Sequence, residues 1–151
     1  MNKRALLKIY WNYFKYIMQH KYYVLLECLK MGMPIHGIVH DMSKLLPTEF
    51  FPYAIKFLSG DYAFNFQEVE NNFAFAWLYH QRRNKHHWDY WVNSEGKALP
   101  MPRKYALQMV ADWRAMGRKF GDTASDFYKK NQSRMKLHHT TRDMLDVIFG
   151  S

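Results

Sequence analysis

Between Lys3 and Lys30 the chain has neither a glycine nor a proline, and apolar side chains recur there at steps of three, four or seven (Leu6, Ile9, Tyr13, Ile17, Val24, Cys28). That spacing matches the helical period and predicts one long helix, ended by Gly32 and Pro34. A helix of this length needs other elements to cover its apolar stripe, which points to an all-helical packing. Only seven glycines and five prolines punctuate the 151 residues. A short second helix can begin at Pro34 and carry Ile35 to Lys44. Pro47 and Thr48 supply a turn and an N-cap, with Glu49 in the first turn of a third helix running to Leu58 and ended by Ser59-Gly60-Asp61. A fourth helix covers Gln67 to Asn84, with Val69, Phe73, Ala76 and Trp77 on one face. After the loop Asn93 to Lys97, Pro100 and Pro102 lead into a helix from Arg103 to Arg118, and Gly121-Asp122-Thr123 breaks the pattern. Two more helices are expected around Ser125–Arg134 and Thr140–Phe149. No stretch alternates as a strand, no repeat is visible and no linker divides the chain. The expectation is a single all-α domain over residues 1–151, a compact bundle of about six to seven helices.

Hydrophobic residues make up 48% of the chain, too many for a disordered segment. No apolar run approaches the roughly 18 residues of a membrane helix. The first residues, MNKRALLKIYWNYFKYIMQHK, lack the apolar run and cleavage site of a signal peptide, so the expected compartment is the cytoplasm, with no membrane partner. A single cysteine, Cys28, excludes an intramolecular disulfide and a thiolate zinc cage, and its apolar neighbours mark it as a small buried hydrophobe. The formal charge of +9 suggests an anionic partner such as a nucleotide, a phosphate ester or nucleic acid; a solvated basic surface would look the same. An aromatic content of 18% leaves a homodimer open.

Against this apolar background stands the pair His40-Asp41, followed by Lys44. Adjacent polar residues of this kind are costly in a core unless they find partners. An imidazole nitrogen and a carboxylate oxygen are common ligands for a divalent metal. Further candidates are His20, His80, His86, His87 and Asp112. On a continuous helix His40 and Asp41 lie about 100° apart, and Lys44 falls one turn on, facing the same point. His20 shares a stripe with Tyr13, Tyr16 and Val24, where a hydrogen-bonded core histidine is the commoner finding. His87 is two turns from His80 if the helix continues; if it breaks near Asn84, either His86 or His87 can ligate. His86-His87-Trp88 also fits an aromatic-rich helix end that caps the core. Asp112 sits in the apolar patch Val110-Ala111-Asp112-Trp113, where an unpaired carboxylate is costly. His36, one turn before His40, reads as an outer partner or a substrate contact. Ser43 and Glu49 read as residues that orient Lys44 or a ligand. His138-His139 read as surface residues.

The ordered set His20, His40-Asp41, His80, His86-His87, Asp112 resembles that of the HD-domain superfamily, all-helical proteins named for an adjacent His-Asp pair. His40-Asp41-Met42-Ser43-Lys44 is similar to the H-D-x-x-K form found in branches with larger metal clusters. The segments HDMSK and NKHHWDYW are similar to those of small, often phage-encoded, proteins placed near that superfamily. The resemblance spans Gln19 to Trp113. It implies a first metal held by His20, His40, Asp41 and Asp112, and a second held by His80 with His86 or His87, Asp41 bridging. In the larger-cluster branches the corresponding histidines lie far apart, whereas His80 and His86-His87 are close here, so a mononuclear centre stays open. The ions would be one or two of Mn, Fe, Zn, Co or Mg.

The chemistry this favours is metal-dependent hydrolysis of a nucleotide or other phosphoester, with a metal-activated water as nucleophile. Asp41 and Lys44 would be catalytic, and Lys44, Arg82, Arg83 and Lys85 would draw in the anionic substrate. Trp88, Tyr90 and Trp91 would be available to stack on a base. For a phage-encoded protein the compartment would be the host cytoplasm. Two rivals remain: a di-iron oxygenase with the same ligand order, and a non-enzymatic basic helical protein. The latter would bind nucleic acid or a partner through Arg134, Lys136, His138, His139 and Arg142.

Overall fold

The computed structural model describes residues 3–60 and 65–150; Asp61, one of the residues expected to end the third helix, lies outside them. Helix α1 spans Lys3–Lys30, as its periodicity predicts, and buries Ile9, Tyr13, Ile17, His20, Val24, Glu27 and Cys28 along one face. Leu6, near the start of that stripe, is half-buried. Helix α2 covers only Pro34–Val39, and a separate 3-10 turn follows over Met42–Leu45. The expected continuous helix to Lys44 therefore breaks at His40-Asp41, where His40 swings to ψ 131° and Asp41 to φ 53°.

Helix α3 runs Pro47–Leu58 with Pro47 in its first turn, where its missing N–H costs nothing. Leu46, and not Thr48, occupies the N-cap position; the Thr48 hydroxyl instead accepts a hydrogen bond from Arg83. Helix α4 spans Phe66–Arg83 and is capped by Asn65, whose side chain accepts from the Glu68 N–H. Helices α5 (Arg103–Phe120), α6 (Ala124–Asn131) and α7 (His139–Phe149) complete an all-α fold. Among the described residues there is no strand, only an isolated antiparallel bridge between Val92 and Ala98. No helix among them is long and apolar enough to cross a membrane.

Helix α1 is the central element, with α2, α3 and α5 packed on it and α4 packed on α3. Its buried face feeds two apolar clusters. Ile9, Tyr13 and Ile17 pack with Tyr53, Ala54 and Ala76, while Val24 and Cys28 pack with Ala111 and Ala115. Burying a side chain such as Ile17 contributes about 1.5–3 kcal/mol. The small side chains of Ala111 and Ala115 let α5 approach α1 closely. His20 lies on α1 between Ile17 and Val24, so the helix carries it into the seam between the two clusters. Gly37 has a related role: a Cβ there would meet the Leu25 Cα at 2.9 Å. The backbone of α2 thus rests directly on α1, which brings His40 beside His20.

Candidate metal centre

The break after α2 is what aims the His-Asp pair. The Lys21 ammonium, from α1, donates to the carbonyls of Ile38 at 3.0 Å and His40 at 2.6 Å, holding the end of α2 as a C-terminal cap. The chain then turns through the left-handed region at Asp41, and the Lys44 N–H donates to the Asp41 carbonyl at 3.0 Å. The result is an Asp41 side chain that is 1% exposed, with its two oxygens facing different groups of histidines.

Asp41 Oδ2 lies 3.4 Å from His40 Nε2 and 3.9 Å from His20 Nε2. Asp112 Oδ1 closes this group, 3.1 Å from His20 Nε2 and 3.6 Å from His40 Nε2. On the other side, Asp41 Oδ1 lies 3.3 Å from His86 Nε2 and 3.5 Å from His80 Nε2. His87 Nε2 joins them, 2.9 Å from His80 Nε2. In the set Asp41, His80, His86 and His87, and again in His20, His40 and Asp41, the donor atoms lie within 4.8 Å of one another.

Five of these buried atoms have no hydrogen-bond partner in the protein, His20 Nε2, His40 Nε2, Asp41 Oδ1, His86 Nε2 and Asp112 Oδ1, while Asp41 Oδ2 meets only the Lys44 ammonium and imidazole nitrogens. Buried polar atoms are rarely left this way, because each forfeits its hydration. Converging lone pairs of imidazole and carboxylate are the surroundings that a metal ion requires, so these groups can hold one.

The electrostatics agree with a cluster built around carboxylate charge. Burial opposes ionisation of Asp41, yet the charges of His40, Lys44 and His80 outweigh it and hold its pKa well below the usual carboxylate range. Asp112 is held down likewise by His20 and His40, against its burial. For His40, burial disfavours the charged ring, but Asp41 and Asp112 raise its pKa to about 9. His87 moves the other way: burial, then His86 and His80, hold it well below the ordinary histidine value. Burial also lowers His86, with His40 adding to the effect.

Partners behind the ligands orient them. Glu49 is fully buried, and its Oε2 accepts from His80 Nδ1 at 2.9 Å and from the Ser43 hydroxyl at 2.9 Å. Arg83 Nη1 donates to its Oε1 at 2.6 Å. Burial raises the Glu49 pKa, but bonds from His80 and Arg83 more than offset it, so the carboxylate stays ionised and only accepts. His80 Nδ1 therefore donates to Glu49, and its Nε2 is the nitrogen that faces Asp41. This carboxylate-backed imidazole is the usual support of a metal-bound histidine. His36 serves His40 in the same way, its Nε2 lying 3.4 Å from His40 Nδ1. Burial, then His40 and His86, depress the His36 pKa to about 3, leaving it neutral and able to accept.

All seven candidate ligands read from the sequence thus converge. Helix α4 does end, at Arg83, yet both His86 and His87 reach the centre from the turn that follows. Lys44 Nζ lies 2.6 Å from Asp41 Oδ2. It also lines a cavity of about 380 Å³ that opens beside His20, His87 and Asp112. Arg82, Arg83 and Lys85 are not among the residues that line this cavity. Arg83 is engaged with Glu49, and the Lys85 ammonium sits over the Tyr90 and Tyr105 rings. Of the aromatic trio, Trp88 lines the cavity and Tyr90 and Trp91 do not. Of the basic C-terminal residues, Arg142 donates to the carbonyls of Gln132 and Met135, and His138 caps α7. The cavity walls Trp77, Met109, Trp113 and Met116 were missed in the sequence, where they are indistinguishable from core residues of α4 and α5.

The sequence model of a family of unknown function, DUF5662, matches residues 9–151. No curated protein matches the chain, and no solved structure does. The family match takes in every candidate ligand and the residues behind them, and the chain belongs to the DUF5662 family.

Proposed function

We propose that this chain is a metal-dependent phosphohydrolase of the HD-domain kind, acting on a nucleotide or another phosphoester. The observation that carries the reading is Asp41, a buried carboxylate whose two oxygens face separate histidine groups, Oδ2 also meeting the Lys44 ammonium. His20, His40 and Asp112 would hold one divalent ion with Asp41, and His80, His86 and His87 would hold a second. The absence of thiolate suits manganese, iron, cobalt or zinc. Ions bound there would supply the positive charge that polarises a phosphoryl oxygen and acidifies water.

The chain's own residues do the rest. Lys44 faces the cavity beside the centre, and its ammonium has donors to spare beyond the one aimed at Asp41, so it can neutralise a phosphate oxygen. Glu49 and His36 fix which nitrogens of His80 and His40 are free. Metal analysis of the wild type beside His40→Ala and Asp41→Ala tests the centre, and phosphate release from a panel of nucleoside monophosphates and cyclic nucleotides tests the chemistry. Full metal content in both variants would sink the centre; a loaded protein that releases no phosphate would sink hydrolysis.

An oxygenase is the second reading, since the imidazole and carboxylate donors of the cluster suit iron as well as they suit the other ions. Oxygen consumption with a mixed-valent di-iron spectrum in the aerobically purified protein would select it over hydrolysis.

A further inference from the structure

The cavity beside the centre restricts what can be presented to it. Its volume, about 380 Å³, is at the small end of ligand sites, enough for one ring system with one phosphate. Trp77, Trp88, Trp113, Met109, Met116 and Phe120 supply its apolar wall. These walls are pinned from behind. Trp113 stacks on Tyr128 at 6.1 Å and on Phe149 at 6.2 Å, and Trp77 stacks on His80 at 5.8 Å. Along this wall, flat indole faces and thioethers favour a flat apolar ring and offer the hydroxyls of a hexose seated there little to replace their lost water.

Charge narrows the choice further. Among the described residues that line the cavity, Lys44 is the one cation apart from the imidazoles of His20 and His87. Asp89 and Asp122 also line it, besides the candidate ligand Asp112. Beyond ions held at the centre, a triphosphate would find a single lining ammonium and two additional carboxylates for its further phosphates. Neither Arg82 nor Arg83 lines the space, and Arg114 and Arg118 line an adjoining hollow, where Arg118 is bonded to Glu27.

Building on the hydrolytic reading, we propose that the substrate is a phosphomonoester that joins one phosphate to a flat ring system, directly or through a linker, the ring held between the Trp77 and Trp113 walls and the phosphate at Lys44. Sugar phosphates that lack such a ring, and polyphosphates, are selected against. The ring can be a nucleobase or a non-nucleotide aryl group, which share this chemistry.

The test is calorimetric titration of the manganese-loaded full chain with 1-naphthylmethylphosphonate, which cannot be hydrolysed. AMP, glucose 6-phosphate and ATP then serve as competitors at equal free metal. The phosphonate is expected to bind, and glucose 6-phosphate and ATP to compete at least about tenfold more weakly than the better of AMP and the phosphonate. Tighter AMP assigns the ring to a nucleobase; a tighter phosphonate assigns it to an aryl group. Met116→Trp, which fills the cavity, is expected to weaken the phosphonate at least about tenfold while leaving metal content and thermal melting intact. Equal competition by ATP or glucose 6-phosphate would overturn the proposal, and so would unchanged affinity in a folded Met116→Trp. Selective binding without phosphate release would remove the hydrolytic reading and leave the ring selectivity standing. Release of phosphate from all esters alike would do the reverse.

Discussion

Asp41 combines the main chain and the side chain of the centre in one residue. Among the described residues it is the only non-glycine with positive φ, at 53°. For an L-residue this conformation costs about 1–2 kcal/mol, although Asp and Asn tolerate it best. Lys21 on the His40 carbonyl and Lys44 on the Asp41 side chain hold it in place. Asp41→Asn keeps that tolerance and the side-chain shape while removing the charge shared by both histidine groups. The variant is expected to fold and to lose metal affinity by more than about 100-fold, beyond the usual effect of an outer partner. Metal titration followed by calorimetry checks this, and retained affinity would contradict the bridging role. Glu49 predicts a graded result. Glu49→Gln leaves His80 an acceptor and should weaken metal by about tenfold, whereas Glu49→Leu removes it and should approach about 100-fold. Equal effects would show that Glu49 fills space and does not orient the ring.

At the scale of elements, helix positions follow from local pattern wherever one face is continuously apolar. Helix α1 begins and ends where its periodicity says, because Ile9, Tyr13, Ile17, Val24 and Cys28 need one buried side and Gly32 permits the stop. The expected helix through Lys44 fails for a reason outside the segment. His40 and Asp41 reach their shared partners only if the chain leaves the helix between them, and those partners lie on α1, α4 and α5. Packing of α2 on α1 then sets the position of His40, and Gly37 is the contact that allows it. Gly37→Ala is expected to cost about 1–3 kcal/mol as α2 is pushed outward. It should also weaken metal binding, since His40 moves with the helix. Urea melts and metal titration of one preparation read both effects, and a variant unchanged in each would show that α2 has slack.

Over the whole molecule, α1 is tied to α5 by more than the centre. Glu27, buried on α1, accepts from Arg118 of α5 at 2.6 Å and from Lys30 at 3.2 Å. Burial raises the Glu27 pKa, but the Arg118 and Lys30 bonds outweigh it and leave the pKa below its ordinary value of 4.5. A carboxylate depressed on folding adds stability that is fully present above the unfolded pKa and is lost as pH falls through the folded one. Glu27→Gln is therefore expected to be less stable than wild type by about 1–3 kcal/mol at pH 7. The gap should close as pH falls below about 4.5. Urea melts at pH 7 and in acid measure it; a gap that is independent of pH would mean the pair does not contribute through charge.

The amino-acid order alone determined the all-α class, the bounds of α1, α3 and α4 to within a residue or so, and the polar candidates His20, His40, Asp41, His80 and His86 that prove buried, though not buried Glu27, Ser59 or Thr141. Those properties follow from periodicity, from glycine and proline, and from the cost of placing a carboxylate such as Asp112 among apolar neighbours. Tertiary structure alone decided that His86 and His87 both reach the centre, that Asp41 turns left-handed, that Arg83 belongs to Glu49, and that tryptophans from separate segments wall one cavity. Each depends on where groups distant in sequence meet, and a local pattern carries no record of a partner on another helix.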